Sequence, residues 1–411
     1  MGIGARCLAV VALLSEFARP YPLDGFAQTG IRRLAGYKLT IKIPPGGQLG
    51  MSQISLRLRG VNESFDITDR TPRDPYLQKG IESIFSGRDP SYSLALLDIT
   101  DPAAPKYAAV KEMERRIPGS VGKLLIATGI LGALRRIHPN DVAARERLLR
   151  TMVTADSFVH RDSKTVPFFN DGDKAVVNRR LQIGDTFNLW EWMDHMLSQS
   201  SNAAASVCWQ QAMLLHRLGA DWALSKEQRE AFFRDTSKKD LAALSLESLE
   251  TALTASGIDT TKLRIGTFFT SNAERIVPGT GSYSNPRELL RWLVKMEQGK
   301  LVDAWSSLEL KRLIYFARPR YRYASSPALN HAAVFFKSGS LFECVPEPGF
   351  QCVQYKGNKT NLMHSVTVVE SGTKVYLVAL TSNVLRLNSA VEHQTIGTLI
   401  ERLVQGRPAG K

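Results

Sequence analysis

Three short motifs in this chain could together carry out nucleophilic chemistry. Ser120 and Lys123 stand three residues apart, Ser200 and Asn202 follow much later, and Lys337 lies towards the C-terminus. A serine hydroxyl is a weak nucleophile until a base removes its proton, and lysine can be that base when its pKa is lowered. These residue types therefore indicate acyl transfer through a serine whose base is lysine.

The segment around Ser120 predicts how the first two residues meet. Ser120 follows a Pro-Gly pair and opens an almost wholly apolar run to Leu134, which predicts a buried helix. Residues three apart share a helix face, so Lys123 is expected beside the Ser120 hydroxyl. The alternative interpretation is a capping serine followed by a lysine that extends to solvent. The other pair with this spacing, Ser371 and Lys374, lies in a predicted hairpin turn, where the side chains need not converge.

The elements around the motifs predict an α+β fold, with strands near both ends of the chain and helices between them. A polar loop over 156–185 interrupts the helical part. An N-terminal extension is predicted to contain a β-hairpin, formed by 37–43 and 53–59. The other predicted strands are 92–99, 106–110, 332–338, 365–369 and 374–381, and the flanking helices are 76–85 and 390–404.

The composition is that of a globular enzyme with a basic surface. Of 411 residues 44% are apolar and 22% are charged, and the formal net charge is +14. No nucleic-acid motif or dense basic block accompanies this charge, so a solvated surface is expected and no nucleic-acid partner. No zinc-type spacing of cysteine and histidine is present, and neither a metal nor another cofactor is expected. Cys344 and Cys352 bracket a turn-rich loop, which fits either a local disulfide or two free thiols.

Longer segments around the motifs resemble class A β-lactamases and the wider penicillin-binding protein superfamily, whose set of three motifs this is. The resemblance spans about 76–404 and implies an antiparallel β-sheet flanked by helices, with an inserted all-α subdomain. The gap from Ser120 to Ser200 is long for the family, which predicts an insertion at about 159–177. Three segments carry the resemblance. The second motif lies in 187–205, the helix after the active-site loop is 283–293, and the third motif lies in 335–340.

This resemblance also implies a division of the chain. The first residues contain a short apolar stretch after Arg6 and resemble a secretory signal peptide, so a periplasmic or secreted protein is expected. The β-lactamase-like domain follows an N-terminal extension and has an α/β part in two pieces and a helical part. The expected boundaries are 1–27 for the leader, 28–75 for the extension, 76–404 for the domain, 76–118 and 289–404 for its α/β part, and 119–288 for its helical part.

The resemblance implies a role for each matching residue. Ser120 is the expected nucleophile, Lys123 its base, and Ser200 the relay that passes a proton to the departing nitrogen. Lys337 is expected to attract a substrate carboxylate, and the backbone amide of Ser120 to bind the oxyanion. Asn202 is expected to hydrogen-bond the substrate amide, and Ser338 to bind the same carboxylate as Lys337. Gly339 is expected to let the substrate lie against the edge of the strand, and Ser340 to supply the second backbone amide for the oxyanion.

One departure from the family affects the last step of the reaction. Class A β-lactamases carry a glutamate in the active-site loop that activates water, and Thr270 stands at that point here, with Glu274 nearby but out of register. The resemblance therefore implies acyl-enzyme formation on Ser120 with a β-lactam or related small amide, and a possible deacylation role for Glu274. The alternatives are a D-alanyl-D-alanine carboxypeptidase or transpeptidase acting on peptidoglycan peptides, and a penicillin-binding sensor that stays acylated.

Overall fold

An antiparallel sheet and a set of helices form the structure, a computed structural model that describes residues 22–40, 45–315 and 320–406. The α-helices of these residues are α1 (Phe26–Thr29), α2 (Arg33–Thr40), α3 (Pro75–Phe85), α4 (Lys123–Ile137), α5 (Val142–Leu149), α6 (Leu189–Ser198), α7 (Asn202–Leu218), α8 (Lys226–Asp235), α9 (Lys238–Ala255), α10 (Ser271–Ile276), α11 (Pro286–Glu297), α12 (Ala304–Tyr315) and α13 (Ala390–Gln405). The β-strands are β1 (Ser93–Asp98), β2 (Lys106–Val110), β3 (Met152–Thr154), β4 (Val166–Phe168), β5 (Val177–Arg179), β6 (Thr186–Asn188), β7 (Ala333–Glu343), β8 (Thr360–Ser371) and β9 (Lys374–Asn383).

The main sheet has the strand order β2-β1-β9-β8-β7, and each neighbouring pair is antiparallel. Side chains alternate between two apolar cores, because successive residues of a strand point to opposite faces. On β1, for example, Ala95 and Leu97 pack in the core beneath the helical part, whereas Leu94 and Leu96 pack beneath α3 and α13. The predicted α+β fold and its five main strands are confirmed.

Helices from the middle of the chain form a second layer beside the sheet. The apolar helix α4 packs against α7 and α9, and all but the last turns of α4 are buried. Helix α6 leads into α7 through a short turn at Gln199–Ser201. The second motif therefore lies where α6 and α7 meet, next to the start of α4.

The prediction of an N-terminal β-hairpin is wrong. Arg33–Thr40 is helical, 41–44 lie outside the described residues, Met51–Gln53 forms a 3₁₀ turn, and no residue of 53–59 belongs to a strand. The backbone of 53–59 finds its partners on α11 instead of on another strand, since Leu58 donates to the Glu297 carbonyl. Buried Ile54 and Leu58 explain the apolar spacing that resembled a strand.

The extension is held to the domain by buried ion pairs. Arg33 pairs with Asp194 of α6, and both side chains are fully buried. Further along, Arg57 of the extension pairs with Glu370 of β8, and the buried Lys311 Nζ donates to the Ser55 carbonyl at 2.7 Å. The extension thus braces α6 and the far end of the sheet.

The expected leader lies mostly outside the described residues, which begin at 22. The residues expected to hold its cleavage site, 25–27, fall at the start of α1, where Gly25 is buried. None of the helices in the described ranges is long and apolar enough to cross a membrane.

Candidate active site

The first motif forms a tight turn at the start of α4. Ser120 lies in a 3₁₀ turn, Gly119–Gly122, and Lys123 is the first residue of the α-helix. Positions three apart eclipse one another in a 3₁₀ turn, which brings the two side chains together. The Lys123 Nζ donates to the Ser120 Oγ at 3.1 Å, within reach for proton transfer.

The second motif meets the same lysine from the α6–α7 turn. The Lys123 Nζ donates to the Ser200 carbonyl and to the Asn202 Oδ1, both at 2.7 Å, and lies 3.5 Å from the Ser200 Oγ. Ser200 has a φ of 57°, in the left-handed region that a residue with a side chain rarely adopts. Such strain costs on the order of 1–3 kcal/mol and is found mostly at functional sites.

A buried carboxylate that the sequence did not reveal fixes this turn. Asp162, in the segment just before β4, accepts hydrogen bonds from the Ser201 hydroxyl at 2.8 Å and from the Asn202 and Ala203 amides at 2.7 and 2.9 Å. It therefore caps the N-terminus of α7, where free amides and the helix dipole favour a negative charge. Its sequence position gives no sign of this contact, because the loop returns to α7 only in the folded chain.

The third motif lies on β7, the edge strand of the sheet. The Lys337 Nζ donates to the Ser200 Oγ at 2.8 Å and to the Ser338 carbonyl at 3.0 Å. The Ser200 hydroxyl is thus placed between two lysines. A Cβ at Gly339 would lie 2.8 Å from the Pro118 carbonyl oxygen, so only glycine lets β7 lie this close to the nucleophile turn.

The same close approach brings the two expected oxyanion donors to one place. A Cβ at Gly339 would lie 3.2 Å from the Ser120 amide nitrogen, and a Cβ at Gly119 would lie 3.3 Å from the Ser340 amide nitrogen. The backbone of β7 at Ser340 and the turn at Ser120 therefore pack directly on one another. Buried His364 supports this arrangement from β8, with its Nε2 2.9 Å from the Ile117 carbonyl.

The environment of the two lysines favours their neutral forms. Burial lowers the pKa of Lys123 to about 7, with Asp162 opposing this and the charge of Lys164 adding to it. Burial also lowers the pKa of Lys337, and the charges of Lys123 and Arg322 lower it further. A lysine with a pKa near neutrality can act as a general base at physiological pH.

An aromatic ring forms an apolar side of the Lys123 environment. The ring of Phe269 lies 4.6 Å from the Lys123 Nζ. The neighbouring Thr270 is buried and donates to the Phe158 carbonyl at 2.8 Å. Glu274 is exposed on α10 and does not line the cleft, so the structure does not bring it to the other site residues.

The cleft itself is a pocket of about 270 Å³ between the helical part and the sheet. Its lining includes two residues of the segment that precedes β7, Tyr321 and Arg322. The guanidinium of Arg322 lies 5.7 Å from the ring of Tyr355, and both residues have positive φ. Tyr355 belongs to the loop between β7 and β8, which a disulfide between Cys344 and Cys352 closes.

Two other groups of residues have structural surroundings. Asp156 pairs with Arg229 at 2.7 Å in a buried contact, and no group of three His, Cys, Asp or Glu within the described ranges could hold a metal ion. A larger cavity, of about 580 Å³, lies at the other end of the sheet beside Arg57, His331 and Glu370. It contains no residue of the three motifs.

Solved structures resemble this arrangement over most of the chain. The β-lactamase of Sphaerobacter thermophilus has a TM-score of 0.52 at 11% identity, over 82% of this chain and 98% of that one. The TLA-3 extended-spectrum β-lactamase has a TM-score of 0.52 at 12% identity, over 79% and 97%. A mutant of PBP-A, solved as an acyl-enzyme complex with penicillin G, has a TM-score of 0.50 at 13% identity, over 82% and 100%.

This chain has the fold of the serine β-lactamase and penicillin-binding protein superfamily. No family model and no curated protein sequence matches it. At these identities the likeness extends to the fold alone, so the roles of the site residues rest on the geometry described above.

In this superfamily fold the structure brings the three predicted motifs into one cleft. Ser120, Asn202, Lys337 and the residues after it line the cleft, and Lys123 lies beneath them. Sequence reasoning missed contributions from the loop before α6, the active-site loop and the region before β7: Asp162, Lys164, Phe269 and Arg322.

Proposed function

We propose that this protein is a serine hydrolase that forms an acyl-enzyme on Ser120 with a β-lactam or a related small amide. The observation that carries the proposal is the chain of contacts from Ser120 through Lys123 to Ser200 and Lys337. Each contact lies within or close to hydrogen-bonding distance, and none needs a large movement. No cofactor is required by this chemistry.

The proposed reaction begins at Lys123 in its neutral form. The Nζ takes the proton of the Ser120 hydroxyl, and the Oγ attacks the substrate carbonyl. The backbone amides of Ser120 and Ser340 stabilise the oxyanion that forms. The hydroxyl of Ser200 gives its proton to the departing nitrogen and regains one from the adjacent lysines.

Substrate binding would use the other residues of the cleft. Lys337 and Ser338 are suited to a carboxylate, the group that β-lactams and peptide C-termini share. A bound carboxylate would favour the charged form of Lys337, against the burial that lowers its pKa. Asn202, which already accepts from Lys123, can donate its amide hydrogens to a substrate carbonyl.

A second function is favoured by the apolar side of the site. Phe269 lies against Lys123 and the Thr270 hydroxyl bonds with the Phe158 carbonyl, so no carboxylate of the described residues contacts Lys123 to activate a water. This favours an acyl-enzyme that breaks down slowly, as in a D-alanyl-D-alanine peptidase of peptidoglycan or a sensor that stays acylated. We propose a periplasmic or secreted location, with which the disulfide of Cys344 and Cys352 is consistent.

Intact-protein mass spectrometry after mixing with penicillin G tests these proposals. An adduct of the mass of penicillin that persists for hours supports a peptidase or sensor. A transient adduct that returns rapidly to the native mass supports a β-lactamase. If no adduct forms at any time, acylation by β-lactams is wrong.

A further inference from the structure

The cleft around Ser120 has basic side chains on both of its walls. Lys164 lines it from the loop before α6, on the helical side, while Lys337 and Arg322 line it from the sheet side. Among the described residues that line the cleft there is no aspartate or glutamate. A cleft lined by one sign of charge attracts ligands of the opposite sign.

The backbone at Lys164 is fixed by the carboxylate that caps α7. The Lys164 amide donates to the Asp162 Oδ1 at 3.0 Å, while the Asp162 Oδ2 accepts from Ser201, Asn202 and Ala203. Asp162 is only 8% exposed. The insertion is therefore attached to the second motif itself, and the start of the Lys164 side chain is held at the cleft.

The ammonium group of Lys164 has no acceptor within the described ranges, where only the backbone amide of Lys164 donates a hydrogen bond. Its charge nevertheless reaches the site, since it lowers the pKa of both Lys123 and Lys337. The side chain is only half-buried, so water solvates it when the cleft is empty. An anion bound beside it would gain the attraction that no carboxylate of the described residues supplies by pairing with this ammonium group.

We propose that Lys164 binds a second anionic group of the substrate, so that the preferred acyl donors of this site are dianions. One carboxylate would bind at Lys337 and Arg322, and the other anionic group, on the acyl side, would bind at Lys164. This inference rests on the proposed function, because it names the substrate class of the same site. A peptide with a free C-terminal carboxylate and an acidic residue before the scissile bond has this chemistry, as does a β-lactam with an acidic side chain.

Two penicillins that differ by one carboxylate test the proposal. Benzylpenicillin carries one carboxylate, and α-carboxybenzylpenicillin carries a second one on its acyl side chain. The measured quantity is the second-order rate constant of adduct formation for each compound, expressed as their ratio. The wild-type protein should prefer the dicarboxylate by about five- to tenfold at low ionic strength, and less at high salt.

The variants separate Lys164 from the general charge of the loop. K164M should bring the ratio close to one, and K164E should invert it. Both variants also change the field at Lys123, which affects the two penicillins equally, so the ratio is the readout and not either rate. K174M removes an exposed lysine of the same loop that does not line the cleft, and it should keep the wild-type ratio.

The rate ratio of the two penicillins tests the role of Lys164 separately from the proposed acylation. Equal rates for the two penicillins in the wild type, or a ratio that K164M and K164E leave unchanged, would overturn the proposal while acylation itself stands. If neither penicillin forms an adduct, the proposed function is wrong. Equilibrium binding of the same two compounds to S120A, with and without K164M, then decides the charge preference by itself.

Discussion

The two sides of Lys123 differ in chemistry. On one side its Nζ contacts oxygens of Ser120, Ser200 and Asn202 at 2.7–3.1 Å. On the other side it faces the ring of Phe269. The first side has oxygen atoms that can exchange a proton with the Lys123 amine, whereas the Phe269 ring has no such atom.

This difference teaches that one apolar residue can act on both halves of the reaction. Burial is the main reason why the pKa of Lys123 falls to about 7, and Phe269 contributes to that burial. A carboxylate at the same place would activate a water, yet it would also raise the pKa of Lys123 by its charge. In the proposed reaction the apolar side would therefore favour Lys123 as the base for acylation and would leave the acyl-enzyme without a base for hydrolysis.

The largest expected effect comes from the polar side. S120A should abolish the penicillin adduct, with a loss of about a thousandfold or more, because it removes the attacking atom. The fold should persist, since the Ser120 side chain makes no helix-capping hydrogen bond. Adduct formation is followed by mass spectrometry and folding by thermal unfolding. An adduct on S120A would place the nucleophile elsewhere.

The apolar side is tested by F269E. A carboxylate next to Lys123 should activate a water and speed breakdown of the acyl-enzyme by about 10²–10⁴-fold, the usual range for general-base catalysis. F269Q has the same size without the charge and should leave the slow breakdown in place. The measurement is the rate at which the native mass returns after excess penicillin is removed. If F269Q accelerates breakdown as much as F269E, water access and not base catalysis limits the reaction.

A related pair of measurements addresses Glu274, the residue that the sequence suggested for deacylation. Because Glu274 is exposed and outside the cleft lining, E274Q should break down its acyl-enzyme at the wild-type rate. A wild-type enzyme that turns over rapidly, with E274Q stalled at the acyl stage, would return the base role to Glu274.

Sequence reasoning predicted the polar side and missed the apolar one. Ser120 and Lys123 are close in the chain, so a local turn is enough to bring them together. The main strands were predictable as well, since their apolar residues are numerous enough to require burial. Phe269 could not be assigned, because the resemblance to the family directed attention to Thr270, whose hydroxyl in the structure donates to the Phe158 carbonyl.

The remaining errors have the same origin in contacts between distant parts of the chain. Asp162 accepts hydrogen bonds from the start of α7, which is distant in the sequence, and no neighbouring residue indicates that Asp162 is a helix cap. The extension resembled a hairpin because Ile54 and Leu58 are apolar, but its backbone bonds with α11. Local pattern predicts an element's type better than it predicts the partner of that element.

Removal of Lys337, the proposed carboxylate anchor, should lower activity towards carboxylate substrates selectively. K337A should lower kcat/KM for a carboxylate substrate by about 10–100-fold, the worth of a charge-assisted hydrogen bond. The methyl ester of the same substrate should lose much less, because Lys337 acts on the charge and not on the reacting carbonyl. Equal losses for acid and ester would make Lys337 a partner of Ser200 rather than an anchor.

The pH dependence of acylation gives a smaller effect that reports on Lys123 itself. The proposed base, Lys123, would act in its neutral form, and burial lowers its pKa to about 7. Acylation should therefore be slow below pH 7, where Lys123 is protonated, and should rise to a plateau above it. The rate of adduct formation, measured from pH 5.5 to 9 on the basis of that pKa, tests this expectation. A rate that is constant across this range would exclude Lys123 as the base.

The smallest expected effect is that D162N shifts the midpoint of the rise of the acylation rate with pH. The Asp162 carboxylate attracts the charge of Lys123 and so raises its pKa against the effect of burial. Asparagine keeps the size and an acceptor oxygen for the α7 amides but removes the charge, so the midpoint should move to lower pH. The free energy of unfolding of D162N should be about 1 kcal/mol lower than that of the wild type, because a charged helix cap becomes a neutral one. D173N, which removes an exposed carboxylate of the same loop, should leave the midpoint where it is. A midpoint that moves upward in D162N, or moves equally in D173N, would mean that Asp162 holds the turn without tuning Lys123.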